Sequence, residues 1–392
     1  MGTDFRKTSP DLTGTCFGNN DLIRARSVYA SVFADIDPEW PNEPTGPLAA
    51  HWCAADPYSA AYLIHLARVL WRLSNKNVTA KSFPILCSKV KMLLRPPSVA
   101  SYEETLIELE VASSLSERVS PVSFEPLAPA DLSNAPSKPK SPDFGLRLPD
   151  SDVTVEVTVW HWQVLRNWDA MTSELKTRLA AKLNRPGLRR HVSIEIPIKA
   201  SSDGILDVIA KTVIQEMLAS TTGDLELDTT AGETRIRWFE VPHFQGIDQV
   251  DFVQLPPGLD VAIAGGLTVE SAFGCSTRPI VNDREIEDAL SSLRKSIDRK
   301  SGQRHHSLPH ILTLGLGHQR LHWDWVLPMF TQRIWPNSKY KWISAFCAFS
   351  PQRNWRLNAP RTRLTFEWNP NAAILVPDSL RAIAGAGASY HM

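Results

Sequence analysis

The sequence predicts an α/β protein with a mixed central sheet flanked by helices. It places a helical region over residues 1–100 and the α/β domain, with insertions, over 101–392. Three patterns predict this. The first hundred residues carry apolar side chains at helical spacing. Then Val153, Val155, Val157 and Val159 alternate with Thr154, Glu156 and Thr158, the period of two that belongs to a strand. Beyond residue 160, apolar runs of strand length alternate with amphipathic helices, the order that builds an α/β core.

Taken in order, residues 1–20 are polar and irregular, and helices are expected over 21–35, 57–74 and 83–94. Pro38, Pro41, Pro44 and Pro47 enforce a loop between the first two, and Pro96-Pro97 ends the third. A helix over 102–118 carries Glu108. Val111, Ala112 and Leu115 lie three, four and seven positions after Glu108 and share its face, whereas Glu110 has Ser113, Ser114 and Glu117 beside it. An acid on an apolar stripe costs free energy unless it is paired or metal-bound, so Glu108 is singled out and Glu110 is assigned to solvent. A Pro-rich loop covers 126–142 and leads into a hairpin. A helix is expected over 169–184, a strand over 191–198, a helix over 204–218 and strands over 234–240 and 250–254. After an apolar run with Gly265-Gly266 come a helix over 284–299, the strand Ile311-Leu-Thr-Leu314, a helix over 323–333 and strands near 341–349 and 363–368.

Bulk properties bound the function. The 392 residues suffice for a sizeable core, and 42 Lys+Arg against 42 Asp+Glu give a formal net charge of zero. That balance argues against a constitutively basic coat for nucleic acid but leaves room for a local basic cleft. Five cysteines, odd in number and widely spaced, lack metal-finger or redox spacing and read as buried small hydrophobes of a reducing compartment. With no apolar core after Met1 and no run approaching 18 apolar residues, a cytoplasmic protein is expected, away from the membrane.

The candidate chemistry sits on the hairpin. Asp143 falls on its first strand and Glu156 on its second. A turn centred near Asp150 would set Asp143 roughly opposite Val157, with both carboxylates in reach of one ion. Hard oxygen ligands on neighbouring strands suit Mg²⁺ or Mn²⁺.

Pro142-Asp143, then Glu156-Val157-Thr158, preceded by the helix bearing Glu108-Leu-Glu-Val-Ala-Ser-Ser-Leu115, resembles the PD-(D/E)XK nuclease superfamily. That motif is Pro-Asp on one strand and Asp/Glu-x-Lys on the next, after a helix with a Glu. The resemblance covers roughly residues 102–160. It implies a restriction-endonuclease-like core and metal-dependent hydrolysis of phosphodiesters, DNA ahead of RNA, in defence or genome maintenance. Asp143, Glu156 and Glu108 would be the metal ligands. In the family the motif lysine orients the attacking water and neutralises charge. Here Thr158 holds its position, and a hydroxyl carries no charge. A substitute cation is expected from Lys182, then Lys176, on the helix after the strand, with Lys295 and Lys300 as alternatives. Thr158, His161, Arg189 and Arg190 are the expected nucleic-acid contacts. The alternative reading is a degenerate member that binds nucleic acid or a protein partner without cutting; a homodimer is a further option.

Overall fold

The computed structural model describes residues 5–10, 12, 15–54, 56–75, 78–117, 119, 121–125, 141–160, 162–183, 187–200, 203–240, 272–303, 307–316, 328–350 and 363–385. In chain order the helices are α1 (Asn19–Asp35), α2 (Pro47–Trp52), α3 (Pro57–Ser74), α4 (Phe83–Leu94), α5 (Val99–Ser116), α6 (Gln163–Leu183), α7 (Asp203–Ala219), α8 (Asp283–Lys300) and α9 (Asp378–Gly385). The strands are β1 (Val122–Phe124), β2 (Phe144–Arg147), β3 (Asp152–Trp160), β4 (Arg189–Pro197), β5 (Gly223–Thr229), β6 (Gly232–Glu240), β7 (Ala272–Ile280), β8 (His310–Leu316), β9 (Ala345–Ser350) and β10 (Arg363–Trp368).

The chain divides into two compact units, Met1–Trp160 with Leu293–Met392, and His161–Ser292. The boundary expected at residue 100 is not where the division falls. The N-terminal helices bury their apolar faces in one continuous core with the hairpin strands, so they belong to the first unit.

Local chemistry sets the helix ends in that unit. The Asp21 carboxylate accepts from the Gly18 N–H at 2.9 Å ahead of α1, and the Asp56 carboxylate accepts from the Ser59 N–H at 2.9 Å at the start of α3. The expected proline loop contains α2, because Pro47 is tolerated in a first helical turn. That helix delivers Trp52 into a cluster with Phe5, Tyr29, Phe33 and Trp40; the Phe33 and Trp52 ring centroids lie 5.2 Å apart, edge to face.

The first unit's sheet has the order β1-β2-β3-β8-β9-β10. β1, β2 and β3 run antiparallel in turn, β3, β8 and β9 are parallel, and β10 returns antiparallel. This is a mixed α/β sheet, as the sequence predicts. β3 lies inside the sheet and is buried on both faces: Glu156, Thr154 and Thr158 are shielded as well as the valines. The turn between β2 and β3 is pinned from the C-terminal side, where the Asp150 carboxylate accepts from the Ser379 N–H at 3.1 Å and from the Ser379 hydroxyl, capping α9.

The second unit holds the sheet β5-β6-β4-β7, with β4 parallel to β7, and α6 and α7 pack against each other. β5 escaped the sequence reading because its outward positions are acids; Asp224 pairs with Arg237 across the hairpin at 3.0 Å. β1, β7 and α9 were also unforeseen. The strand expected at 250–254, Gly265-Gly266 and the first half of the helix expected at 323–333 lie outside the described residues. The described part of that helix is a π turn over Phe330–Ile334. Of the cysteines expected inside, Cys275 and Cys347 are buried and Cys53 is exposed. Among the described residues, no helix is long and apolar enough to cross a membrane.

Candidate active site

The β2–β3 register aligns Phe144 with Val155, which centres the turn between Pro149 and Asp150 and brings Asp143 across from Glu156 rather than Val157. Opposed residues of an antiparallel pair share a face, so this one-residue correction puts the two acids together. Asp143 precedes β2 by one residue. Its Oδ2 accepts from the Val157 N–H at 2.7 Å and its carbonyl accepts from the Glu125 N–H at 2.9 Å. Glu125 holds φ at +44°, a left-handed conformation that costs a non-glycine residue about 1–2 kcal/mol. The strain lies directly beside the acid that the two strands position.

Two ammonium groups converge on the acids. Lys300, the last residue of α8, places Nζ 2.5 Å from Glu156 Oε1 and 3.9 Å from Asp143 Oδ2. Lys89 of α4 places Nζ 2.7 Å from Glu108 Oε1 and 3.5 Å from Glu125 Oε1. The Glu156 side chain is 0% exposed, while those of Asp143 and Lys300 are 18% and 26% exposed, so the site reaches solvent on their side.

Electrostatics follow from burial. Desolvation, then the Asp143 charge, raises the Glu108 carboxyl to about 8 against the opposing pull of Lys89. The same two causes push Glu156 well above the usual carboxylate range, with Lys300 opposing. Burial pulls both lysines down, but neighbouring acids outweigh it. Glu108 is the main one for Lys89; Asp143 and then Glu156 act on Lys300, and both ammonium groups end above their ordinary value. Asp143 is thus the shared neighbour, with Glu156 and Lys300 on one side and Glu108 and Lys89 on the other.

Glu108, Asp143 and Glu156 therefore share one electrostatic cluster. They do not form a closed cage: among the described residues, no group of three His, Cys, Asp or Glu side chains is placed to hold a metal ion. The pair Asp143 and Glu156 remains a fitting donor set. Glu156 is buried with its Oε1 against the Lys300 ammonium at 2.5 Å, so a cation already has a place at this carboxylate. Mg²⁺ commonly takes one or two carboxylates and completes its shell with water and phosphate.

Lys182 is exposed on α6 and Lys176 is buried on it, both in the second unit, and the cation at the acids is Lys300, first named as an alternative. Lys295, the other alternative, is exposed. Thr158 is buried on β3 beside its neighbours and offers substrate no surface. Arg189 is buried at the start of β4, and Arg190, half-buried, lies 3.8 Å from Glu240, so neither is the free phosphate contact expected. His161 lies outside the described residues. Glu110, assigned to solvent, is buried on α5 with Oε1 3.0 Å from His65 Nε2, because α5 is buried nearly all round.

Sequence reasoning missed Lys89, yet a signal existed. Leu86 and Leu93 lie three before and four after it, so it sits on the buried stripe of α4. Lys300 likewise continues the stripe of Leu293 and Ile297 on α8. No family model matches the chain, and no curated protein or solved structure shows significant similarity to it.

Proposed function

We propose that this chain is a divalent-metal-dependent nuclease of the PD-(D/E)XK kind, hydrolysing phosphodiester bonds, with DNA ahead of RNA on the resemblance alone. One observation carries the reading. The Lys300 ammonium stands beside Asp143, just ahead of β2, and Glu156 of β3, although the strand position that supplies a lysine in the family holds Thr158. The mixed sheet with its antiparallel hairpin beside parallel strands is consistent with such a core.

Asp143 and Glu156 would hold Mg²⁺ or Mn²⁺, which when bound supplies an acidified water and a counter-charge for the phosphate oxygens. The chain's own groups do the rest. Lys300 neutralises charge that develops on the phosphate, the part that Thr158 cannot play. Glu108, raised to about 8 by burial and Asp143, is poised to take or return a proton near neutral pH. Lys89 keeps that carboxyl in place. Glu108, Asp143 and Glu156 facing Lys89 and Lys300 carry a net charge of minus one when all are ionised, which suits a divalent ion and then a phosphodiester.

The test is incubation of the purified chain with plasmid DNA, linear DNA and RNA under Mg²⁺ or Mn²⁺. Nicking or degradation is expected, lost with a chelator and lost in Asp143→Ala. A wild-type chain that binds nucleic acid but never cuts it, across metals and substrates, would identify a non-cutting member of the fold. A chain that does neither would end the nucleic-acid reading.

A further inference from the structure

The position of Lys300 raises a problem of space and charge. An ion shared by Asp143 and Glu156 would sit about 2.0–2.1 Å from an oxygen of each. The Lys300 ammonium already stands 2.5 Å from Glu156 Oε1 and 3.9 Å from Asp143 Oδ2, in the volume between the two acids that such an ion would take. Two cations at that separation repel strongly in a shielded site. One of them has to leave.

Lys300 is the one built to move. It ends α8, where a short 3₁₀ turn over Ser301–Gln303 follows, and its four-carbon stem is flexible. Its side chain is 26% exposed, whereas Glu156 at the other end of the pair is 0% exposed. A further acid lies within electrostatic reach of Lys300. Glu104, exposed on α5 one turn before Glu108, also acts electrostatically on the Lys300 ammonium. Glu156 is anchored at the middle of a strand buried on both faces and cannot follow.

We propose that Lys300 works from two positions. In the metal-free protein its ammonium holds the place of the divalent ion against Glu156. When the ion binds Asp143 and Glu156, the ammonium is displaced toward Glu104 at the site's mouth, where a phosphate would arrive. This rests on the nuclease reading for its metal but not on any cleavage. The lysine is then a competitor of the ion and, once displaced, a phosphate-binding group. The place-holder also limits repulsion between Asp143 and Glu156 before metal arrives.

Two measurements on the full chain test it, neither reading activity. Mn²⁺ binding is followed by electron paramagnetic resonance in wild type, Lys300→Gln and Asp143→Ala. Lys300→Gln should bind Mn²⁺ at least about tenfold more tightly than wild type, since the competitor is gone, and Asp143→Ala should lose binding. Equal or weaker binding by a folded Lys300→Gln overturns the proposal. Because that variant leaves Glu156 without its cation and could fail to fold, the second measurement uses wild type alone. Acetic anhydride labelling of Lys300, read by peptide mass spectrometry, should rise several-fold when saturating Mn²⁺ is added. Unchanged or slower labelling with Mn²⁺ bound overturns the proposal. Failure of wild type to bind Mn²⁺ at all overturns both this inference and the nuclease reading. Binding with the labelling increase, but no cleavage of any nucleic acid, upholds the displacement and defeats only the nuclease reading.

Discussion

Glu108 shows how a single residue's environment becomes a measurable property. Its carboxyl is raised from 4.5 to about 8 by burial and by Asp143. Between those values the folded chain holds more protons than the unfolded one, so stability falls as pH rises through that window. Glu156, raised for the same reasons, adds to the effect in the same direction. Melting of the metal-free protein across pH 5 to 9 should show this fall, and Glu108→Gln should flatten it; an unchanged slope would mean that Glu108 is not buried as described. Lys89 gives a second test at this scale. At pH 9, where Glu108 is ionised, Lys89→Met removes the partner of its buried charge and should cost about 3–5 kcal/mol in denaturant unfolding, whereas Lys89→Met with Glu108→Gln should recover most of the loss. A single variant as stable as wild type would remove the ion pair from the account. At this scale the sequence pointed to Glu108, Asp143 and Glu156, because an acid at a defined strand or stripe position is a local pattern. It did not rank Lys300 or notice Lys89. Which lysine reaches an acid depends on which helix crosses the sheet, and Lys300 lies 144 positions after Glu156 along the chain.

At the scale of elements, the site depends on how closely α5 lies on the sheet. Gly315 of β8 permits this: a Cβ there would stand 2.5 Å from Ile107 Cγ2, one residue before Glu108. Ile107 is β-branched and stiff, so it yields little. Gly315→Val should lift α5 and cost about 1–3 kcal/mol, and it should weaken Mn²⁺ binding although it touches no ligand. Full stability and affinity in that variant would show that the close approach is unimportant. Helices with clear apolar spacing, such as α3 and α4, were legible to the residue in the sequence. Strands were less so. β1 has only three residues, and β5 alternates exposed acids with half-buried leucines and so lacks a strong apolar face. The hairpin register slipped by one because the turn's centre, set between Pro149 and Asp150, cannot be read from composition.

At the scale of the whole molecule, a net charge of zero says little about the site, where acids and ammonium groups are concentrated. The α/β class followed from the order of elements. The domain plan did not, because an insertion of residues 161–292 between parallel partners β3 and β8 looks in sequence like a continuation of one domain. The helices of residues 1–100 likewise look separable, yet α4 supplies Lys89 to Glu108. Removal of residues 1–98 should therefore abolish metal binding rather than leave a competent core; Mn²⁺ affinity of the shortened chain checks this. Nucleic-acid affinity of the whole protein should fall with added salt, as phosphate contacts require.

The central claim is that, under the nuclease reading proposed above, a lysine at the end of α8 does what the strand lysine does in PD-(D/E)XK nucleases. Single-turnover cleavage of DNA under saturating Mn²⁺ by wild type and Lys300→Gln tests it most directly, with Thr158→Lys added to the variant as a rescue. Lys300→Gln should cut about 100–1,000-fold more slowly while still binding Mn²⁺, and Thr158→Lys should restore part of the rate by returning a cation to the strand. Cleavage by Lys300→Gln at the wild-type rate would contradict the claim.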